Sequence, residues 1–146
     1  MISFLNFNLN YKVNLLGFTF INIMSDNQNE LDFDVICDNI FKIDDKIRSA
    51  RIISKNGKLV AGGMRKGLMA LGDAKKDAML FMELSLMGRM RHEYDEEFGL
   101  VEFALTHRGK IILMSFPIDE NVLFVTTERQ LDLNKIPFKI AESIKK

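Results

Sequence analysis

The residues with chemistry to offer are few and scattered. Gly62-Gly63-Met64-Arg65-Lys66-Gly67 joins glycine backbone to two cations. Such a composition suits a loop that holds a phosphate or another small anion through its N–H groups and side chains. The Gly-x4-Gly-Lys-Ser/Thr phosphate loop is not formed, however. Gly62 and Gly67 have the four-residue gap, but Leu68 stands where the lysine is required. Gly62, Gly63, Arg65, Lys66 and Gly67 are therefore candidates for loose anion binding, with a plain hairpin exit loop as the other reading. Cys37 lies in an apolar stretch and reads as a core residue rather than a nucleophile. A single cysteine excludes an intramolecular disulfide, and with only His92 and His107 beside it a Cys/His zinc site is excluded too. His107-Arg108 stands at a predicted hairpin turn with no carboxylate or serine nearby in sequence. No Gly-x-Ser-x-Gly, His-Glu-x-x-His or paired-carboxylate signature is present. The expectation is a protein that is not an enzyme, with no catalytic residue, cofactor or metal.

The chain has 146 residues, and its 20 basic side chains balance 20 acidic ones. That length fits one compact domain. At 47% hydrophobic and 27% charged it is globular in composition. Zero net charge argues against a nucleic-acid partner, whose backbone selects a basic excess. No apolar run reaches the roughly 18 residues of a membrane span. A cytoplasmic, membrane-free protein is the expectation. Residues 1–23 read differently from the rest. Lys12 is their single charge, and Phe, Ile, Leu, Asn, Tyr and Lys fill 18 of the 23 positions, as in translated AT-rich non-coding sequence. They read as a mis-assigned start or a disordered leader before Met24-Ser25-Asp26, with a targeting segment as the alternative. Residues 24–146 form the domain.

The apolar positions from Leu31 to Lys42 suit a short amphipathic helix. Asn56-Gly57 between two apolar runs predicts a hairpin of Ile47–Ser54 with Lys58–Gly62, because both residues tolerate the positive φ of a tight primed turn. Asp73 can cap a long helix from Ala74 to about Phe98, and Gly99 can stop it. Three strands follow, Leu100–His107, Lys110–Ile118 and Asn121–Thr127, joined by short turns. A last helix runs from Asp132 to about Lys145, with Asn134 as its cap and Pro137 in its first turn. The order α-β-β-α-β-β-β-α predicts an α+β fold: a five-stranded antiparallel sheet with helices on both faces.

The long helix is the most informative element. At about 100° per residue, Met79, Leu80, Leu86, Met87 and Met90 share one broad side, while Ala78, Phe81 and Leu84 lie towards the other. A helix on one sheet needs a single apolar stripe. One that is apolar nearly all round needs a second cover, and the simplest cover is the same helix from a second chain. Met79, Met82, Leu86, Arg89 and Met90 are the predicted homodimer interface. The competing cover is the chain's own Gly62–Gly72 loop. At the helix end, Arg89–Glu93 and Arg91–Asp95 have the spacing of helical ion pairs, though the acids there oppose the helix dipole.

This element order, with these lengths, resembles the Roadblock/LC7 family of the profilin-like and longin-like group. The wording of Ile47–Ile53 and Asn56–Gly63, of Arg89–Tyr94 and of Ser115–Ile118 is similar to an uncharacterised family of small archaeal, thaumarchaeal proteins. The likeness spans about residues 31–145. It implies a homodimer formed through the second helix and the third strand, and a scaffold or regulator with a small GTPase as the candidate partner. The competing expectation is a sensor that binds a small anion or metabolite between the Gly62–Gly72 loop and the sheet.

Overall fold

In the computed structural model the described residues are 32–145. The expectation for residues 1–23 lies outside them. Five strands form one antiparallel sheet in the order β2-β1-β5-β4-β3. These are β1 (Ile47–Ile53), β2 (Leu59–Met64), β3 (Ala104–His107), β4 (Ile112–Ile118) and β5 (Asn121–Thr127). The helices are α1 (Phe33–Phe41), α2 (Ala74–Arg91), the single turn α3 (Asp95–Phe98) and α4 (Ile136–Ser143). The α+β class and the element order are as the sequence predicts. The last strand, β5, inserts between β1 and β4, and α2 carries the chain from one sheet edge, β2, to the other, β3.

The two faces of the sheet follow from the pairing register. Ala50 and Ile52 stand opposite Val125 and Leu123, which stand opposite Met114 and Phe116. All six are buried, and α1 and α4 cover this face. An irregularity between Ile47 and Ser49 returns Ile47 to the same side, where it is buried as well. The other face carries Ser49, Arg51 and Ile53 beside Val122, Phe124 and Thr126, and α2 lies on it through Phe81.

Local chemistry sets several boundaries. Asp73 caps α2 by accepting from the Lys76 N–H at 2.8 Å, and Gly99 stops the helical run at φ +83°. Within that run the helix tightens to a 3-10 turn over His92–Tyr94 rather than continuing unbroken. The Asn56-Gly57 hairpin is also looser than expected. Only Gly57 has positive φ, and Ser54 closes a three-residue loop by donating to the Lys58 carbonyl and accepting the Gly57 N–H. A Cβ on Gly57 would stand 2.3 Å from Met82 Sδ, so the turn is glycine because α2 passes against it.

The third strand starts at Ala104, not Leu100, because Phe103 leaves the ladder to pack on Phe116 and edge-on to Phe138, with ring centroids 5.7 and 5.1 Å apart. The last helix starts at Ile136. Asp132 instead organises the preceding turn, accepting the Asn134 N–H on its carboxylate and those of Lys135 and Ile136 on its carbonyl. Asn134 is therefore not the cap, while Pro137 does fall in the first turn.

Candidate functional site

Helix α2 divides into an inner and an outer side. Phe81 and Ser85 are buried against the sheet, with Leu80 and Leu84 packed beside them on Ile53, Phe124, Leu113 and Val122. Phe81 meets Phe124 edge-on at 6.3 Å, and Ser85 Oγ donates to the Lys55 carbonyl. Leu80 thus belongs to the sheet side and Ala78 to the outside, the reverse of the sequence assignment, because the docked face is centred on Phe81 rather than on Ala78 and Leu84.

Met79, Met82, Leu86 and Met90 remain on the outside, exposed by 67, 54, 52 and 59%. Their i, i+3, i+7, i+11 spacing lines them along one side of the helix over about 16 Å. Arg89 is exposed on the flank of this stripe. The 64–73 segment does not cover it; Met69 and Leu71 there are themselves exposed. Beyond the helix, Tyr94 stacks on Phe98 at 5.7 Å, and both are exposed together with Leu100. Sequence reading missed these three, since a helix-end aromatic carries no periodic signal of its own. The two i,i+4 ion pairs expected here are replaced: His92 Nδ1 meets Asp95 Oδ2 at 2.6 Å, and Arg91 reaches Ser115 Oγ at 3.5 Å.

The glycine-rich segment is used differently from the anion-loop expectation. Gly62 and Gly63 are strand residues, paired with Arg51 and Ala50. Gly62 has φ +81°, and a Cβ there would come within 2.7 Å of Cys37 Sγ. Its role is close packing of α1. Arg65 spends its donors on backbone: Nε on the Ile47 carbonyl at 2.7 Å, and Nη2 on those of Phe41 and Asp44 at 2.9 and 2.7 Å. Its guanidinium also lies 5.1 Å from the Phe41 ring centroid. Only Lys66 and Gly67 stay in an exposed turn. The loop reading thereby loses its main cation, which clamps α1 to β1. Cys37 is only 2% exposed, and burial, with Asp34 and Asp38 adding repulsion, pushes its thiol up to about 11.

Two clefts flank α2 on its sheet face. One, of about 300 Å³, lies by the helix C-terminal end among Ser85, Gly88, Arg91, Ser115 and Asn121. The other, of about 510 Å³, lies by the N-terminal end and is lined by Arg48, Arg51, Lys76, Arg108 and Lys110. Of these five only Arg108 stood out in the sequence, as a turn residue beside His107, because the five come from three separate segments. Among the described residues no cluster of three or more His, Cys, Asp or Glu is placed to hold a metal, and no helix is long and apolar enough to cross a membrane.

Solved structures with this fold are available for comparison. A Roadblock/LC7 domain from Streptomyces avermitilis superposes with a TM-score of 0.58 at 16% identity, covering 77% of this chain and 92% of that one. Myxococcus xanthus MglB gives 0.56 at 13%, covering 79% and 93%. An MglB described as having a tetrameric arrangement gives 0.57 at 13%, covering 75% and 82%. At these identities the likeness concerns the fold, which is that of Roadblock/LC7 domains. No curated protein matches the chain. Residues 25–146 match one family throughout, and on that match the chain belongs to the Family of unknown function (DUF6659).

Proposed function

We propose that this protein is a non-catalytic homodimeric scaffold or regulator of the Roadblock type, which presents a composite two-chain surface to a protein partner. The observation that carries the reading is the stripe Met79, Met82, Leu86 and Met90, four large apolar side chains more than half exposed on a well-docked helix. Isolated exposed apolar residues are ordinary; a contiguous row on one helix face is not. Covering the exposed part of each contributes roughly 1–2 kcal/mol. Summed over the stripes of both chains this is about 8–16 kcal/mol, which does little more than offset the cost of association, about 4–15 kcal/mol. The helix alone is therefore marginal. Edge strand β3, which has a free side in the sheet order, is the natural second contact, since strand pairing across two chains adds backbone hydrogen bonds. The tetrameric arrangement ascribed to an MglB of this fold is in keeping with assembly. A small GTPase is the proposed partner class, in line with the Roadblock-like resemblance, and the cytoplasm and an archaeal lineage are the proposed setting.

Light scattering of the full chain at micromolar concentration tests this. A dimer mass is expected, with Leu86→Glu and Met79→Glu reducing it to a monomer whose circular dichroism is unchanged. Met82 is the poorer choice because it also packs on the Gly57 turn. A monomeric parent protein, or dimers that survive both changes, would overturn the reading.

A further inference from the structure

The cleft by the N-terminal end of α2 collects charge that the chain as a whole does not have. Arg48 and Arg51 come from β1, Lys76 from the first turns of α2, and Arg108 and Lys110 from the β3–β4 turn. Arg48 is held by Glu128 at 2.6 Å and Arg51 by Asp77 at 3.8 Å. Lys76, Arg108 and Lys110 make no ion pair among the described residues. Five cations against two carboxylates leave three positive charges in excess around one concavity, in a chain of zero net charge. Like charges held together repel, so an arrangement of this kind is relieved by an anion from outside.

The floor is apolar. Leu80, Leu113 and Phe124 line it below the cations, and Leu71 walls it from the 64–73 segment. An inorganic anion would answer the charges but leave this floor wet; a neutral apolar molecule would do the reverse. The volume of about 510 Å³ is of the size that takes a small organic ligand. We infer that this cleft binds an organic anion with an apolar or aromatic body and a multiply charged phosphate or carboxylate head. The head sits among Lys76, Arg108 and Lys110, and Arg48 and Arg51 stay with their carboxylates as the fixed inner wall. The site goes beyond the dimer reading and does not rest on it, since Lys76 and Leu80 line the sheet-side flank of α2 and the methionine stripe is on the outside.

Calorimetric titration of the full chain with phenyl phosphate, inorganic phosphate and phenol tests the inference. Saturable binding of phenyl phosphate is expected, with both other probes at least about tenfold weaker. Raising the salt concentration should weaken it further. Combining Lys76→Gln with Arg108→Gln, both exposed and unpaired, should lower phenyl phosphate affinity by about tenfold or more at unchanged melting temperature. Lys139→Gln, on the outer side of α4, should have no effect. Absence of saturation at concentrations on the order of 10 mM would overturn the inference. So would phenol binding as well as phenyl phosphate, or affinity indifferent to the double substitution. Loss of self-association in the double variant, without any phosphate binding in the parent, would assign these cations to a protein contact and overturn it equally.

Discussion

The two faces of the sheet are built on opposite plans. On the α1/α4 side, Ile47, Ala50, Ile52, Ile112, Met114, Phe116, Leu123 and Val125 are all sealed from solvent. On the α2 side, apolar residues are mixed with Ser49, Arg51, Ser115 and Thr126, and one helix covers only the middle, leaving a cleft at each end. Buried polar groups there are satisfied locally: Ser49 Oγ and Thr126 Oγ1 lie 2.6 Å apart, and Arg51 sits 5.7 Å above the Phe81 ring beside Asp77. The first face is a core. The second is half core and half working surface, and apart from the β3 edge every feature proposed to bind something belongs to it or to the helix lying on it.

The largest expected difference between the faces is in the cost of truncation. Phe116→Ala, in the sealed face, should destabilise the protein by about 3–5 kcal/mol in urea unfolding, because nothing can relax into the cavity. Phe81→Ala, on α2 between the residues that line the two clefts, should cost clearly less, about 2–3 kcal/mol, since neighbouring side chains can collapse into the space. Equal costs would remove the distinction. Next in size, Ser49→Ala should cost about 1–2 kcal/mol by leaving Thr126 Oγ1 without its partner, while Ser49→Ala with Thr126→Val should recover most of that loss. Gly88→Ala should stabilise by about 0.5–1 kcal/mol. Its new Cβ would meet only Val122, at an ordinary 3.6 Å, which thermal melting can check. Smallest at neutral pH is the effect of Cys37. Its folded thiol titrates near 11 against an ordinary 9.0, so it contributes undiminished stability below pH 9 that is lost as pH rises towards 11. Alkylation by iodoacetamide should accordingly be very slow at pH 7–8 and should accelerate on unfolding.

Local signals located elements well and faces less well. Asp73, Gly99 and the Asn56-Gly57 pair mark their boundaries because capping and positive φ are decided within a few residues. Leu100–Phe103 carries a strand-like alternation, yet Phe103 is drawn out of the ladder by rings more than ten residues away in sequence, on Phe116 and Phe138. Helical periodicity likewise showed that α2 is apolar on two sides, but not which side docks. That depends on where Phe124 and Ile53 present a surface for Phe81. Arg65 is the sharpest instance. Its neighbours suggest a loop cation, and only the approach of Phe41, Asp44 and Ile47 makes it a clamp on three carbonyl groups.

What the sequence determined by itself is the set of elements, their order and the surplus of apolar surface on one helix, because turn chemistry, capping and periodicity act over a few residues. What tertiary structure alone decided is the allocation of that surface, and the meeting of Arg48, Arg51, Lys76, Arg108 and Lys110 around one cleft. Charges as far apart along the chain as Arg48 and Lys110 have no fixed mutual energy until the sheet and α2 bring them to the walls of one cleft.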